Sequence, residues 1–204
     1  MLPPRCQLIL LAAGAGRRFG DHMPKLLAGS PPLILQTLTA LRAGLGPAVR
    51  ILAVVRPDAL ALQALLAAQG VEVTVCAQAD AGMGASLAHA AAQVGDDLPL
   101  LVALGDMPAI APATLAAVRD ALLAGASLVQ PQCQGRRGHP VGFHRRWLPA
   151  LRALQGDAGA RHLLHTHADQ LLTLPVDDPG ILLDIDTPEQ LAAIEAAKGA
   201  SRPG

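Results

Sequence analysis

Aromatic side chains are almost missing from this chain of 204 residues, which has one Trp, two Phe and no Tyr. Without such platforms it cannot stack a run of unpaired bases, which argues against a single-strand nucleic-acid binder. An excess of either charge is missing too: 16 Lys and Arg stand against 16 Asp and Glu, a formal net charge of zero. There is therefore no electrostatic footprint for a polyanion, and any attraction for phosphate has to be local to a site. Cysteine is scarce. Cys6, Cys76 and Cys133 are far apart, with neither paired zinc spacing nor a disulfide framework, as expected of a reducing, cytoplasmic setting. Long apolar runs are lacking as well, since none approaches the roughly 18 residues that span a bilayer. The apolar residues 8–13 are fewer than a signal-peptide core and run at once into Gly and Arg. A soluble protein without membrane or nucleic-acid partners is expected.

What the chain does have is a rhythm of short apolar runs and longer helical ones. Strands are expected at Gln7–Ala13, Val49–Val55, Val71–Cys76, Pro99–Leu104 and Ser127–Gln130, with helices at Leu33–Ala43, Asp58–Ala68, Ala85–Val94 and Pro112–Leu123. Strands that are apolar throughout, separated by helices, imply a mainly parallel sheet covered on both faces, a three-layer α/β domain. Past residue 131 the pattern changes. A Gly/Arg/Gln-rich loop (Pro131–Gly138) leads to Gly138-His139-Pro140-Val141-Gly142-Phe143 and a helix around Arg145–Leu154. Asp157–Arg161 opens another helix, Leu171–Val176 is a late strand, and Thr187-Pro188-Glu189-Gln190 is a capping box opening a last helix to about Lys198. One domain over residues 1–198 is expected, with one part to about 130, a second part of different pattern beyond it, and a disordered tail at 199–204.

The most informative stretch is Leu8-Ile9-Leu10-Leu11-Ala12-Ala13-Gly14-Ala15-Gly16-Arg17-Arg18-Phe19-Gly20, with Lys25 following Pro24. An apolar strand opens into a glycine-rich turn, whose backbone N–H groups can converge on anionic oxygens. Arg17, Arg18 and Lys25 add positive charge at the carboxyl end of the first strand, where open α/β sheets bind ligands. A P-loop is excluded because Asp21, not Lys, follows Gly20. The dinucleotide fingerprint fails too. Gly14, Gly16 and Gly20 give GxGxxxG, and the second strand ends in Arg56-Pro57 rather than an acid. Phosphate binding without hydride transfer is the reading that remains.

Gly105-Asp106-Met107-Pro108 directly follows the apolar Leu98–Leu104, which puts Asp106 at the carboxyl end of a central strand. A carboxylate there must be paired, solvated or metal-bound. Mg2+ suits it, as a hard cation that takes one or two carboxylates plus phosphate oxygens. Asp184 and Asp186 flank Ile185, so alternation puts both on one face, where either could complete the metal site. Asp96-Asp97 and Asp177-Asp178 read as solvated turns.

The loop resembles the LAAGxGxRxG…PK signature of the MobA-like NTP transferases: Leu11–Gly14, Gly16, Arg18, Gly20 and Lys25 all sit on it. The resemblance runs from about residue 7 to 195. It implies a Rossmann-like nucleotidyltransferase fold in which Leu11, Ala12, Ala13, Gly14, Gly16, Arg18, Lys25 and Ser86 bind the nucleotide, and Arg18, Lys25 and Asp106 serve catalysis. GDMP at Asp106 is similar to the family's metal-binding motif. DIDTPEQL, Gly82-Met83-Gly84-Ala85-Ser86-Leu87, GHPVxF at Gly138–Phe143 and GDxGAR at Gly156–Arg161 resemble the molybdenum cofactor cytidylyltransferase subgroup. That subgroup implies CTP and a molybdopterin-type acceptor, with His139, Asp157 and Arg161 on the acceptor side and a molybdenum hydroxylase as client. Ahead of Gly82 the subgroup carries an Asn and an aromatic, whereas this chain has Cys76–Ala81, which leaves CTP, GTP and ATP open. Also open are another acceptor, such as a sugar or polyol phosphate, and a non-catalytic maturation factor that carries the cofactor.

Plainer readings stand beside these. Ser86 can be a helix cap, His139 a structural histidine, and Asp157 with Arg161 a cap and its exposed partner. Met83 and Met107 read as packing residues. His162 and His165 share a helical face that His167 does not join cleanly, and no Cys or acid completes the set, so no zinc site is assigned.

Overall fold

The computed structural model describes residues 6–14, 16, 19, 24–47, 49–157 and 159–200. The sheet has the strands β1 (Gln7–Leu11), β2 (Arg50–Val55), β3 (Glu72–Val75), β4 (Leu100–Leu104), β5 (Leu128–Cys133), β6 (Arg136–Arg137), β7 (Val141–Phe143) and β8 (Leu171–Pro175). Their order is β3-β2-β1-β4-β7-β5-β6, with β8 also paired to β5. The pairs β1–β2, β1–β4, β2–β3 and β5–β8 are parallel, and β7 runs antiparallel between β4 and β5. The mainly parallel sheet expected from the sequence is therefore present.

The helices are α1 (Leu33–Leu45), α2 (Leu60–Ala68), α3 (Met83–Ala91), α4 (Pro112–Leu123), α5 (Leu148–Arg152), α6 (Arg161–Thr166) and α7 (Pro188–Ala200). Because side chains alternate along a strand, β1 sends Leu8 and Leu10 to one face and Ile9 to the other. Leu8 and Leu10 join Ile34, Leu38, Leu66, Leu115 and Val118 from α1, α2 and α4. Ile9 joins Leu87, Ala90, Leu148, Leu151 and Leu164 from α3, α5 and α6. Two cores on one sheet make the three layers, and burying both strand faces is why these strands read as unbroken apolar runs.

Several boundaries differ from the sequence expectation. β1 ends at Leu11, although Ala12 still donates to the Val54 carbonyl at 3.0 Å. The loop expected at Pro131–Gly138 is a hairpin: β5 runs on to Cys133, and Gln134 and Gly135 turn the chain with φ of 49° and 76° into β6. Two successive positive φ values suit the twist of paired strands, and a Gln at the first of them gave no signal for the turn. The helix expected to open at Asp157 starts at Arg161. α7 runs to Ala200, two residues past its expected end, and residues 201–204 lie outside the described ones. The solvated-turn reading of Asp177-Asp178 holds for Asp177, which is exposed in a bend, but not for Asp178. Asp178 is 6% exposed and accepts hydrogen bonds from Ala111 N, Thr114 Oγ1 and Gly180 N.

Candidate active site

The carboxyl ends of β1, β2 and β4, the approach to α3 and the loop before α7 all open on one cleft of about 670 Å3. Leu11, Ala12, Ala13, Gly14 and Gly16 line it, as do Lys25, Ser86, Asp106, Asp157 and Asp184. Nearly all the residues read as nucleotide- or metal-binding thus meet in one place. Arg18 lies outside the described residues. His139 and Arg161 are not among the lining side chains, and Asp186, also not among them, pairs with the lining residue Lys25.

Lys25 is the centre of the charge arrangement. It opens a short 3-10 turn, Lys25–Leu27, and its side chain is 11% exposed. Gly16 has φ +59°, and a Cβ there would stand 3.2 Å from Lys25 Cβ, so the glycine lets turn and lysine approach closely. Lys25 Nζ donates to Asp106 Oδ2 and to Asp186 Oδ1, each at 2.7 Å. Burial alone would lower the lysine's pKa, but hydrogen bonding and attraction to both carboxylates outweigh it and hold the pKa above its ordinary value. The ammonium therefore stays charged throughout the physiological range.

Asp106 is positioned from both sides. Gly105 N donates to the Leu11 carbonyl at 2.9 Å, Thr37 Oγ1 donates to the Gly105 carbonyl at 2.9 Å, and Ile185 N donates to the Asp106 carbonyl at 3.0 Å. The last bond docks the Asp184-Ile185-Asp186 segment on the end of β4. That segment is irregular rather than a strand, yet Ile185 is fully buried while Asp184 faces the cleft. The capping box forms as expected. Gln190 Oε1 accepts from Asp186 N at 2.7 Å and Thr187 N at 3.0 Å, and Gln190 N donates to Thr187 Oγ1 at 3.3 Å.

Asp106 Oδ1 is buried without a hydrogen-bond partner among the described residues. Such an oxygen is costly in a finished protein core and ordinary in a site that awaits a cation. The described residues hold no group of three or more His, Cys, Asp or Glu able to bind a metal by themselves. One or two carboxylate oxygens with room for phosphate oxygens are nevertheless the donor set that a hard divalent cation takes, so the residues fit such an ion.

Behind Asp106, His139 is half-buried, its N–H bonded to the Ile181 carbonyl at 3.0 Å and its Nδ1 without a partner among the described residues. Burial pushes its pKa down, against the Val102 carbonyl and the charges of Asp106 and Asp184, which push it up. Ser86 is not a cap, since Gly82 occupies that position; it is buried in the first turn of α3 and faces the cleft. Met107 is core, but Met83 is 44% exposed and lines the cleft, which corrects its reading as a packing residue. His167 packs its ring on Trp147 with centroids 4.6 Å apart.

Sequence reasoning missed the far end of the cleft. Arg56 extends from β2 and pairs with Asp80 at 2.8 Å and Asp58 at 3.3 Å, while Leu60, 71% exposed, stands nearby in the lining. The signal was present, because Arg56-Pro57 ends the strand next to β1 on the same sheet edge. The described lining carries five aspartates (Asp58, Asp80, Asp106, Asp157 and Asp184) against Lys25 and Arg56. A polyphosphate entering this cleft therefore needs further positive charge.

An open α/β sheet with a cleft at the carboxyl ends of its strands, where Gly14 and Gly16, a nearly buried lysine and a carboxylate with one oxygen unpartnered among the described residues meet, has the architecture in which α/β proteins take up ligands. The model of the MobA-like NTP transferase domain matches residues 8–171, and the chain belongs to that family. It is 30% identical over 203 residues to the purine catabolism protein PucB of Bacillus subtilis, covering 93% of this chain and 95% of PucB. It is 40% identical over 132 residues to the bifunctional protein GlmU of Dinoroseobacter shibae, covering 60% of this chain but only 28% of GlmU. Among solved structures, Rv0371c of Mycobacterium tuberculosis H37Rv superposes with a TM-score of 0.78 at 29% identity, covering 93% of this chain and 97% of that one. Rv0371c has also been solved in complex with manganese. No described helix is long and apolar enough to cross a membrane.

Proposed function

We propose that this protein is a divalent-metal-dependent nucleotidyltransferase that transfers CMP from CTP to a molybdopterin-type cofactor and releases pyrophosphate. The observation that carries the reading is the Lys25–Asp106 pair, with Asp106 Oδ1 left unpartnered among the described residues, beside the turn at Gly14 and Gly16. In the proposed reaction an oxygen of the acceptor's phosphate attacks the α-phosphorus of CTP. A new P–O bond forms, the bond from the α-phosphorus to the bridging oxygen breaks, and its electron pair leaves with pyrophosphate.

The chain's part is binding and alignment, because phosphoryl chemistry asks little covalent work of a protein. Backbone N–H groups of the glycine-rich turn and the charges of Arg18 and Lys25 receive the phosphates, and Ser86 stands on the nucleoside side. Lys25 exchanges one of its carboxylate partners for a phosphate oxygen as the nucleotide enters. Asp106, with Asp184 or Asp186, would hold Mg2+, which when bound neutralises phosphate charge. The manganese complex of Rv0371c supports divalent-metal use. The motifs at Gly138–Phe143 and Gly156–Arg161 support a molybdopterin-type acceptor, with His139 and Arg161 as acceptor-side candidates and a molybdenum hydroxylase as client.

The test is pyrophosphate release with Mg2+ across CTP, GTP, ATP and UTP, with and without molybdopterin cofactor. Multiple turnover with CTP and the cofactor is expected. Turnover only with another base or a sugar phosphate would move the substrate assignment. Tight binding without any turnover would replace the enzyme by a carrier of the cofactor.

A further inference from the structure

α3 brings Met83 and Ser86 to the cleft, and one short segment of the far half of the chain holds it at both ends. At its carboxyl end Arg152, the last residue of α5, donates from Nε to the Ala91 carbonyl at 2.9 Å and from Nη2 to the Val94 carbonyl at 3.2 Å. The same guanidinium pairs with Asp96 at 2.6 Å. At the amino end, Gly84 N donates to the Gly156 carbonyl at 2.8 Å, and Asp157 Oδ1 stands 3.5 Å from Met83 N. A cation at the last carbonyls and a carboxylate at the first N–H groups is the arrangement that a helix dipole favours.

The amino-terminal contact is backbone against backbone and has no room for side chains. A Cβ on Gly82 would come within 2.6 Å of Asp157 Cα, and one on Gly84 within 2.7 Å of the Gly156 carbonyl oxygen. Gly159, with φ +53°, closes in beside Met83, where a Cβ would stand 3.3 Å from Sδ. The glycines of two separate motifs are thus explained together: each permits the other's approach. Asp157 meanwhile points at α3 and lines the cleft, whereas Arg161 of the same motif is exposed and does not line it.

We propose that Arg152 to Asp157 forms a clamp that sets the position of α3, and that Asp157 is a positioning residue for the nucleotide side rather than a contact to the acceptor. The proposal rests on the reading of the cleft as a nucleotide site. It couples the two halves of the domain, since the segment that holds α3 belongs to the half expected to bind the acceptor.

The test combines amide hydrogen exchange with CTP titration in the presence of Mg2+, on the full chain. Gly84→Ala should speed exchange in the first turn of α3 and weaken CTP binding about tenfold, the effect of losing one hydrogen bond. Asp157→Ala should weaken CTP binding about two- to fivefold through the lost charge at the helix end, with the cofactor's KM unchanged. Asp157→Asn, which keeps an acceptor oxygen, should recover part of that loss. Unchanged exchange in both Gly84→Ala and Asp157→Ala would overturn the clamp. Faster exchange with unaltered CTP binding, or a raised cofactor KM alone, would overturn the positioning role. If Gly84→Ala does not fold, the exposed Asp157 still supplies the test. A wild-type chain that binds no nucleoside triphosphate overturns the proposed function and the nucleotide role together, while its exchange pattern still decides whether the clamp exists.

Discussion

Two aspartates held within the same fold have opposite surroundings. Asp178 has both oxygens engaged, Oδ2 by Ala111 N at 2.9 Å and Thr114 Oγ1 at 2.7 Å, and Oδ1 by Gly180 N at 3.0 Å. Asp106 gives Oδ2 to Lys25 and leaves Oδ1 buried and unpartnered among the described residues. A carboxylate whose bonds all close within the protein is part of the scaffold that holds the start of α4. One with a buried oxygen left over beside a cleft is poised for a partner that the described residues do not supply. Burial alone would have ranked the two the other way, since Asp178 is the more buried.

Removing each carboxylate should break this comparison in opposite directions. Asp178→Ala leaves three donors without their acceptor. It should destabilise the fold by about 3 kcal/mol or more, roughly a 10 °C fall in melting temperature, and lower activity only through the loss of folded protein. Asp106→Asn should leave the melting temperature nearly unchanged and reduce pyrophosphate release at least about a hundredfold. Thermal melts and turnover on the same preparations check both. An active Asp106→Asn enzyme would remove the metal assignment.

Lys25 sharpens the contrast, because it ties Asp106 to Asp186. Lys25→Ala should weaken nucleotide binding about ten- to a hundredfold, the range for hydrogen bonds to charged groups, as measured by equilibrium titration. Its pH dependence follows from the raised pKa. The ion pair is fully present below the lysine's ordinary value of 10.5 and is lost only as pH rises through the still higher folded value. Nucleotide binding should therefore show no lysine titration between pH 6 and 9, and unchanged titration curves in Lys25→Ala would refute the assignment.

What was legible in the sequence follows from range. The glycine-rich turn, Lys25 and Asp106 each show in a local pattern, an apolar strand ending in residues that a strand end does not otherwise need. The Thr187–Gln190 capping box is local as well, and it forms as read. The meeting of Lys25 with Asp186 spans most of the chain and depends on Ile185 N docking on the Asp106 carbonyl, which no local pattern announces. Asp178 was misread because a pair of aspartates looks solvated until the distant N–H of Ala111 is known to need it. Met83 was misread because methionine usually packs, whereas here the amino end of α3 faces open space. Arg56 was seen only as the absence of a ribose-binding acid, although its position at the sheet edge pointed to the cleft.

His139 gives the smallest and most selective test of where the scaffold ends and the site begins. Its backbone N–H is fixed by a hydrogen bond to the Ile181 carbonyl, while its ring, like Asp106, leaves one atom, Nδ1, without a partner among the described residues. Burial holds its folded pKa below the ordinary 6.5, so between the two values the unfolded chain binds the extra proton. The histidine's contribution to stability is then complete above pH 6.5 and is lost as pH falls through the folded value. Urea midpoints between pH 5 and 7.5 should fall more steeply on acidification for the wild type than for His139→Gln. Equal slopes would mean that the ring gains its proton without penalty, and so that Asp106 and Asp184 outweigh its burial.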